Sequence, residues 1–223
     1  MMNFSARQRD LAHQLFELGA IRFGAFKLKL HETQPDAPLS PIYLNLRTPD
    51  NKGGPLTPEI VRLIGHEFSS YVSSSGITFD HVAGVPRAGD PLAEALVAIH
   101  GTTRRGLLRM AKTEGDGRRS VDNIFEGGFS PGDKALVVDD LITHAGSKIE
   151  TVTVLRARGL EVTDCLVLVD RCQGGSQELF EQTNVQLHRI FQLPDLLDEY
   201  VETGCISADQ RHEVLAYLRT SVA

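Results

Sequence analysis

The chain of 223 residues has only three cysteines, Cys165, Cys172 and Cys205. An odd count with no C-x-x-C pair supplies neither a disulfide framework nor the paired spacing of a zinc site. The expectation is therefore that the cysteines are buried and act as small hydrophobes. No leader-like segment stands before the first expected helix, and a reducing, cytoplasmic setting follows as an expectation. No apolar run approaches the ~20 residues that a membrane-spanning helix needs, so a soluble protein without a membrane partner is expected. Positive charge is also short: 23 Lys plus Arg face 29 Asp plus Glu, a net charge of -6. That balance works against binding along a phosphate backbone, and no nucleic-acid partner is expected. A local basic run from Arg104 to Arg119 is the exception, and a small phosphorylated ligand explains it equally well. Two nucleotide fingerprints are missing, G-x-x-x-x-G-K-[ST] and G-x-G-x-x-G after an early strand. There is no internal repeat, low-complexity tract or obvious linker.

What remains is an ordinary globular composition, 41% hydrophobic and 23% charged, in a chain of a length that α/β folds fill as one domain. A helix is expected from Ser5 to Leu18, stopped by Gly19. Two extended segments, IRFGAFKLKL and SPIYLNLR, are separated by a loop, HETQPDAPLS. Thr57, Pro58 and Glu59 mark a helix start, and Ser207 with Gln210 marks another near the end. Between these points short apolar strands alternate with helices: FDHVAGV, GLLRM, ALVVDD and VTDCLVLVD are the strands. The alternation predicts a mainly parallel sheet of about five strands covered on both faces.

The stretch ALVVDDLITHAGSK, residues 135 to 148, carries the chemistry. In parallel sheets ligands sit beyond the carboxyl ends of strands, where a helix N-terminus offers backbone N–H groups to an anion. Small Ala145 and Gly146 let a phosphate approach closely, and the hydroxyls of Thr143 and Ser147 can donate to it. Asp139 and Asp140 would repel a bare phosphate. A ribose 5-phosphate resolves the conflict, because its hydroxyls can donate to the acids while its phosphate occupies the turn. The acids could equally reach a magnesium ion through water.

VVDDLITHAGS resembles the phosphoribosyl pyrophosphate (PRPP) signature of the type I phosphoribosyltransferases. FGAFKLK, SPIYLNLR, GVPRAGDPLA, the basic segment around Lys112 and LVLVDRCQGG extend the resemblance, in order, to the orotate phosphoribosyltransferases over most of residues 21 to 180. It implies an α/β, type I phosphoribosyltransferase fold formed by one domain over residues 1–223. The core would span about 57–192, with a small hood built mainly from 20–50 and C-terminal pieces. Orotate and PRPP would give orotidine 5'-monophosphate and pyrophosphate in de novo pyrimidine biosynthesis. Lys112, Asp139 and Asp140 would be catalytic. PRPP would meet Asp139, Asp140, Leu141, Ile142, Thr143, His144, Ala145, Gly146 and Ser147, with Arg87, Arg109 and Lys112. Orotate would meet Lys29, Tyr43, Leu44, Thr143 and Arg171, the guanidinium suiting its carboxylate.

The segment 109–128 falls on the family's mobile loop, and GVPRAGDPLA on its pyrophosphate loop. Magnesium is the implied cofactor, held by PRPP and water rather than by direct ligands, and a homodimer with shared sites is the implied assembly. The sequence departs from the family at Leu108, where relatives carry Arg, and at Glu114, where they carry His or Tyr. The loop after Gly115 and the HETQPDAPLS link are also longer. Two other readings stay open: the same fold acting on another base, and a PRPP-sensing regulator without catalysis.

Overall fold

Eight consecutive residues, ALVVDDLI, form the strand at the centre of the larger unit, β6 below, and seven of them are buried. β-Branched and apolar side chains on both faces suit a strand covered on two sides. The computed structural model describes the backbone of residues 4–101, 106–115 and 118–220. Within these it leaves aside the side chains of residues 29–30, 112–115, 118–123, 125 and 220. The chain divides into two units, Thr57–Gln192 and Met1–Leu56 with Leu193–Ala223.

The larger unit opens with α2 (Pro58–Ser75), whose Thr57 hydroxyl accepts the Ile60 N–H and whose C-cap is Gly76. The alternation continues through β3 (His81–Gly84), α3 (Asp90–His100), β4 (Gly106–Gly115), β5 (Arg118–Glu126), β6 (Ala135–Ile142), α4 (Gly146–Ala157), β7 (Asp164–Asp170), α5 (Gly175–Thr183) and β8 (Gln186–Gln192). The sheet order is β5-β4-β3-β6-β7-β8. Five strands, β4, β3, β6, β7 and β8, run parallel, as the alternation predicts. β5 adds an antiparallel edge beside β4. The core gathers Val137, Leu155, Val167, Leu179 and Leu187 with their neighbours. Each large apolar side chain withdrawn from water contributes about 1.5–3 kcal/mol.

The smaller unit holds α1 (Ala6–Glu17), β1 (Ile21–Phe26), β2 (Ser40–Leu44), α6 (Leu193–Glu202) and α7 (Ala208–Thr220). Ser5 and Gln8 form a reciprocal cap on α1. Ser207 and Gln210 do the same for α7, at 3.1 and 2.9 Å. β1 and β2 pair antiparallel, with an irregular register between Phe23 and Phe26. Tyr200 lies among Phe16 and Phe23, and its hydroxyl donates to Ala12 O at 2.8 Å.

Three expectations need correction. The extended segment IRFGAFKLKL ends at Phe26, and Lys29–Glu32 form a 3-10 turn. His31 explains the break. Its Nδ1 accepts the Leu28 N–H at 2.9 Å, which leaves the ring proton on Nε2, 3.0 Å from Ala37 O. Such local bonds compete with strand pairing. Residues 109–128 are mainly a β-hairpin rather than an irregular loop, because Met110 and Ile124 pair in register and pack on the core. Finally, Cys165 is buried but Cys172 is exposed and Cys205 half-buried; Cys172 follows the end of β7, where the chain leaves the sheet. No described helix is long and apolar enough to cross a membrane.

Candidate functional site

β3 and β6 are neighbours, yet the chain leaves β3 toward β4 on one side and continues from β6 toward β7 on the other. The carboxyl ends of this pair therefore form the point at which an open sheet binds ligands. Two of the segments singled out in the sequence emerge there, residues 85–89 after β3 and residues 143–147 after β6.

Asp139 and Asp140 lie in the second half of β6 and are 4% and 6% exposed. The Asp140 N–H donates to Asp139 Oδ1 at 2.9 Å, and the Leu141 N–H donates to Asp140 Oδ1 at 2.7 Å. Lys148 Nζ donates to Asp139 Oδ2 at 2.5 Å and to Leu141 O at 2.7 Å. Burial would lower the Lys148 pKa, but the charge of Asp139 overrides this and raises it. Burial pushes the Asp140 carboxyl up to about 8; the charge of Asp139 adds to the rise and Lys148 opposes it. Two adjacent buried acids are thus served by one cation.

Past Ile142 the chain turns into α4. Ala145 is the N-cap and makes no side-chain cap bond, so the first turn of the helix keeps N–H groups for an outside acceptor. One donor of the turn is already engaged: the Ala145 N–H donates to Glu178 Oε2 of α5 at 2.8 Å. His144 and Gly146 are exposed, and Thr143 and Ser147 half-buried. A Cβ added to Gly146 would meet nothing within 4 Å, so open space lies beside this backbone. Ile142 is buried in the core, which leaves only its backbone for a ligand.

After β3 the Val85 N–H donates to Val138 O at 2.8 Å, and the Pro86–Arg87 peptide is cis. A Cβ on Gly89 would stand 2.2 Å from Val138 O, so only glycine lets this turn lie against β6. Arg87 is exposed and Asp90 half-buried. Burial pushes the Asp90 carboxyl up to about 6 against the pull of Arg109. Arg109 itself pairs with Glu94, and its Nε lies 3.1 Å from Glu126 Oε2.

Arg171 follows β7 and its guanidinium donates to Thr143 Oγ1 at 3.4 Å, which brings two of the expected orotate residues together. Two residues on, Gln173 is 5% exposed. Its buried Oε1 has no hydrogen-bond partner among the described residues. Lys112 is on β4 opposite Val121, with its side chain outside the described residues, as are those of Glu114, Arg118 and Arg119; Arg104 and Arg105 lie outside them altogether. Lys29, Tyr43 and Leu44 belong to the smaller unit. Tyr43 lies on β2, its ring 5.6 Å from Phe26 and 5.0 Å from the Arg22 guanidinium. Leu44 pairs with Ile21, and Lys29 is in the 3-10 turn with its side chain outside the described residues. Leu108, where relatives carry Arg, is 0% exposed and part of the core.

Sequence reasoning missed Lys148, Glu178 and Glu94. Each is an ordinary charged residue of a helix in sequence, and only tertiary packing turns it toward the site. Among the described residues no group of three or more His, Cys, Asp or Glu could hold a metal ion by itself.

The family model "Phosphoribosyl transferase domain" matches residues 56–193. An orotate phosphoribosyltransferase of Pyrobaculum aerophilum is 30% identical over 92% of this chain and 96% of its own. A uridine 5'-monophosphate synthase of Caenorhabditis elegans is 30% identical over 96% of this chain, which spans 40% of that protein. Among solved structures, Leishmania donovani UMP synthase superposes with a TM-score of 0.75 at 29% identity, over 97% of this chain and 43% of that one.

Proposed function

Because the chain belongs to the phosphoribosyl transferase domain family, we propose that it transfers the ribose 5-phosphate of PRPP to orotate. The products are orotidine 5'-monophosphate and pyrophosphate, a step of pyrimidine biosynthesis. One observation carries the reading: buried Asp139 and Asp140 and the donor-rich turn 143–147 form one continuous stretch at the carboxyl end of β6. Acids alone would suit a cation, and donors alone would suit an anion. Together at this spacing they suit a molecule with hydroxyls at one end and a phosphate at the other.

In this reading the 5-phosphate accepts bonds from Gly146, Ser147 and the Thr143 hydroxyl, while Asp139 and Asp140 accept from the ribose hydroxyls. The turn 85–89 and Arg87 receive the diphosphate. Arg109 serves the diphosphate as well, once exchanged from Glu94 and Glu126. The bond from the ribose C1 to the diphosphate oxygen breaks, and its electron pair leaves with pyrophosphate. Orotate N1 bonds to C1, its proton having been released. Lys112 is assigned to the departing charge by the resemblance, and its cation would stabilise that charge. Little activation of the nucleophile is needed, so positioning supplies most of the rate. Arg171, held by Thr143, faces the orotate carboxylate, and Lys29, Tyr43 and Leu44 are assigned to orotate by the resemblance. Magnesium carried by the diphosphate, reaching Asp139 and Asp140 through water, would shield charge and orient the ligand. The assembly proposed is a homodimer with shared sites, working in the cytoplasm. The reaction proposed is that of the orotate phosphoribosyltransferases; the UMP synthase relatives extend well beyond the matched length.

The test is loss of orotate absorbance on adding PRPP and magnesium. The chain should turn over orotate, and Lys112→Ala should lower kcat by about 10²-fold or more with a smaller change in KM for PRPP. Pyrophosphate release with another base and none with orotate would reassign the base. PRPP binding with no turnover of any base would leave a regulator.

A further inference from the structure

Lys148 stands where burial and the helix dipole disfavour a cation. It lies in the first turn of α4, whose N-terminal dipole repels a cation, and it is 2% exposed, which penalises a lone ammonium strongly. Its Nζ directs hydrogens to Asp139 Oδ2 at 2.5 Å and Leu141 O at 2.7 Å. The acids it serves are bonded in series, since Asp139 Oδ1 accepts the Asp140 N–H and Asp140 Oδ1 accepts the Leu141 N–H. Asp90 of α3 adds a further carboxyl to this neighbourhood. An ammonium in such a place is offset only by the groups it bonds, so its role lies in what it holds.

We propose that Lys148 is a positioning residue that acts through Asp139: it ties the acid pair to the first turn of α4, so that the ribose hydroxyls and the 5-phosphate are received at one fixed spacing. The proposal rests on the ribose 5-phosphate reading above. Two of the three ammonium hydrogens are committed to Asp139 and to the Leu141 carbonyl, and at 2% exposure the side chain is closed off from solvent, so in this proposal Lys148 acts through Asp139 rather than on the ligand. A loss of Lys148 therefore removes the benefit of the diol and spares the benefit of the phosphate.

The experiment is calorimetric binding, in metal-free buffer, of ribose 5-phosphate and of its 2,3-dideoxy analogue. Wild type should prefer the ribose compound by about tenfold or more, the scale of a buried coupled pair. In Lys148→Met that preference should fall to within about twofold, while the dideoxy analogue binds as it does to wild type. A merely structural role would weaken both ligands together, and that result overturns the proposal. So does a preference retained in Lys148→Met. Should Lys148→Met fail to fold, Asp139→Asn and Asp139→Asn/Lys148→Met are compared, because the double variant removes both members of the buried pair. Equal preferences in these two support action through Asp139, and unequal ones overturn it. Wild type that binds ribose 5-phosphate with a diol preference, beside a Lys148→Met chain that also keeps it, removes this inference alone. Wild type that binds neither compound removes the ribose reading as well.

Discussion

At the scale of single residues, Asp140 shows stability given up for a binding role. Its carboxyl is raised from the usual carboxylate range to about 8 by burial, with Asp139 adding and Lys148 opposing. Between those values the folded chain keeps a proton that the unfolded chain releases. The contribution of Asp140 to stability is therefore most favourable below the ordinary carboxylate pKa and falls as pH rises toward 8. Asp140→Asn should remove this loss. Its Tm should exceed that of wild type at pH 8 by several degrees, at roughly 2–4 °C per kcal/mol for a chain of this size, and the gap should close near pH 4. Calorimetric melts at the two pH values check it, and PRPP-dependent turnover should be lost in the same variant. A Tm unchanged at pH 8 would show that Asp140 meets no penalty from its surroundings. The neighbouring Lys148 shows why this balance was hidden in the sequence: a lysine three residues into a helix reads as a solvated charge until the strand beneath it is in place.

At the scale of elements, the β6 strand, its turn and α4 were legible because their signals are local. Apolar β-branched residues, two acids and a small-residue turn are consecutive, and the caps at Thr57, Ser5 and Ser207 are equally local. The antiparallel β4–β5 hairpin was not legible, since it depends on Met110 and Ile124 finding the core, a fact about distant residues. β8, with the sequence QLHRIFQ, was passed over because His188 and Arg189 interrupt its apolar residues. The 3-10 turn at Lys29 depends on a histidine side chain meeting backbone groups. The open backbone at Gly146 gives a test of the turn as a phosphate seat. Gly146→Ala meets no atom of another element within 4 Å among the described residues and places a better helix former in the first turn. The fold should keep or slightly raise its Tm, while KM for PRPP rises by about tenfold or more, the loss of one or two close polar contacts. Steady-state kinetics beside a thermal melt separates the two effects, and an unchanged KM would place the phosphate elsewhere.

At the scale of the whole molecule, the family match spans residues 56–193, nearly the same span as the larger unit, Thr57–Gln192. The proposed homodimer with shared sites makes a prediction that no single chain can meet. Lys112→Ala and Asp140→Asn chains are each expected to be inactive; mixed and allowed to exchange, they should recover up to about half of the activity per heterodimer, because one of two hybrid sites is intact. Verified heterodimers without recovery would show that each chain supplies its own Lys112. The feature with the widest consequence is the consecutive run from Asp139 to Ser147, in which only the short bend 143–145 separates the end of β6 from the start of α4. In the proposed reaction the sugar phosphate it grips is common to the starting diphosphate and to the finished nucleotide. Such a cradle cannot tell before from after: it holds both with similar strength and lends no direction to the exchange. Commitment to the forward course then falls to whatever senses the departing diphosphate and the incoming base, and the accumulated nucleotide restrains its own formation by occupying the same seat.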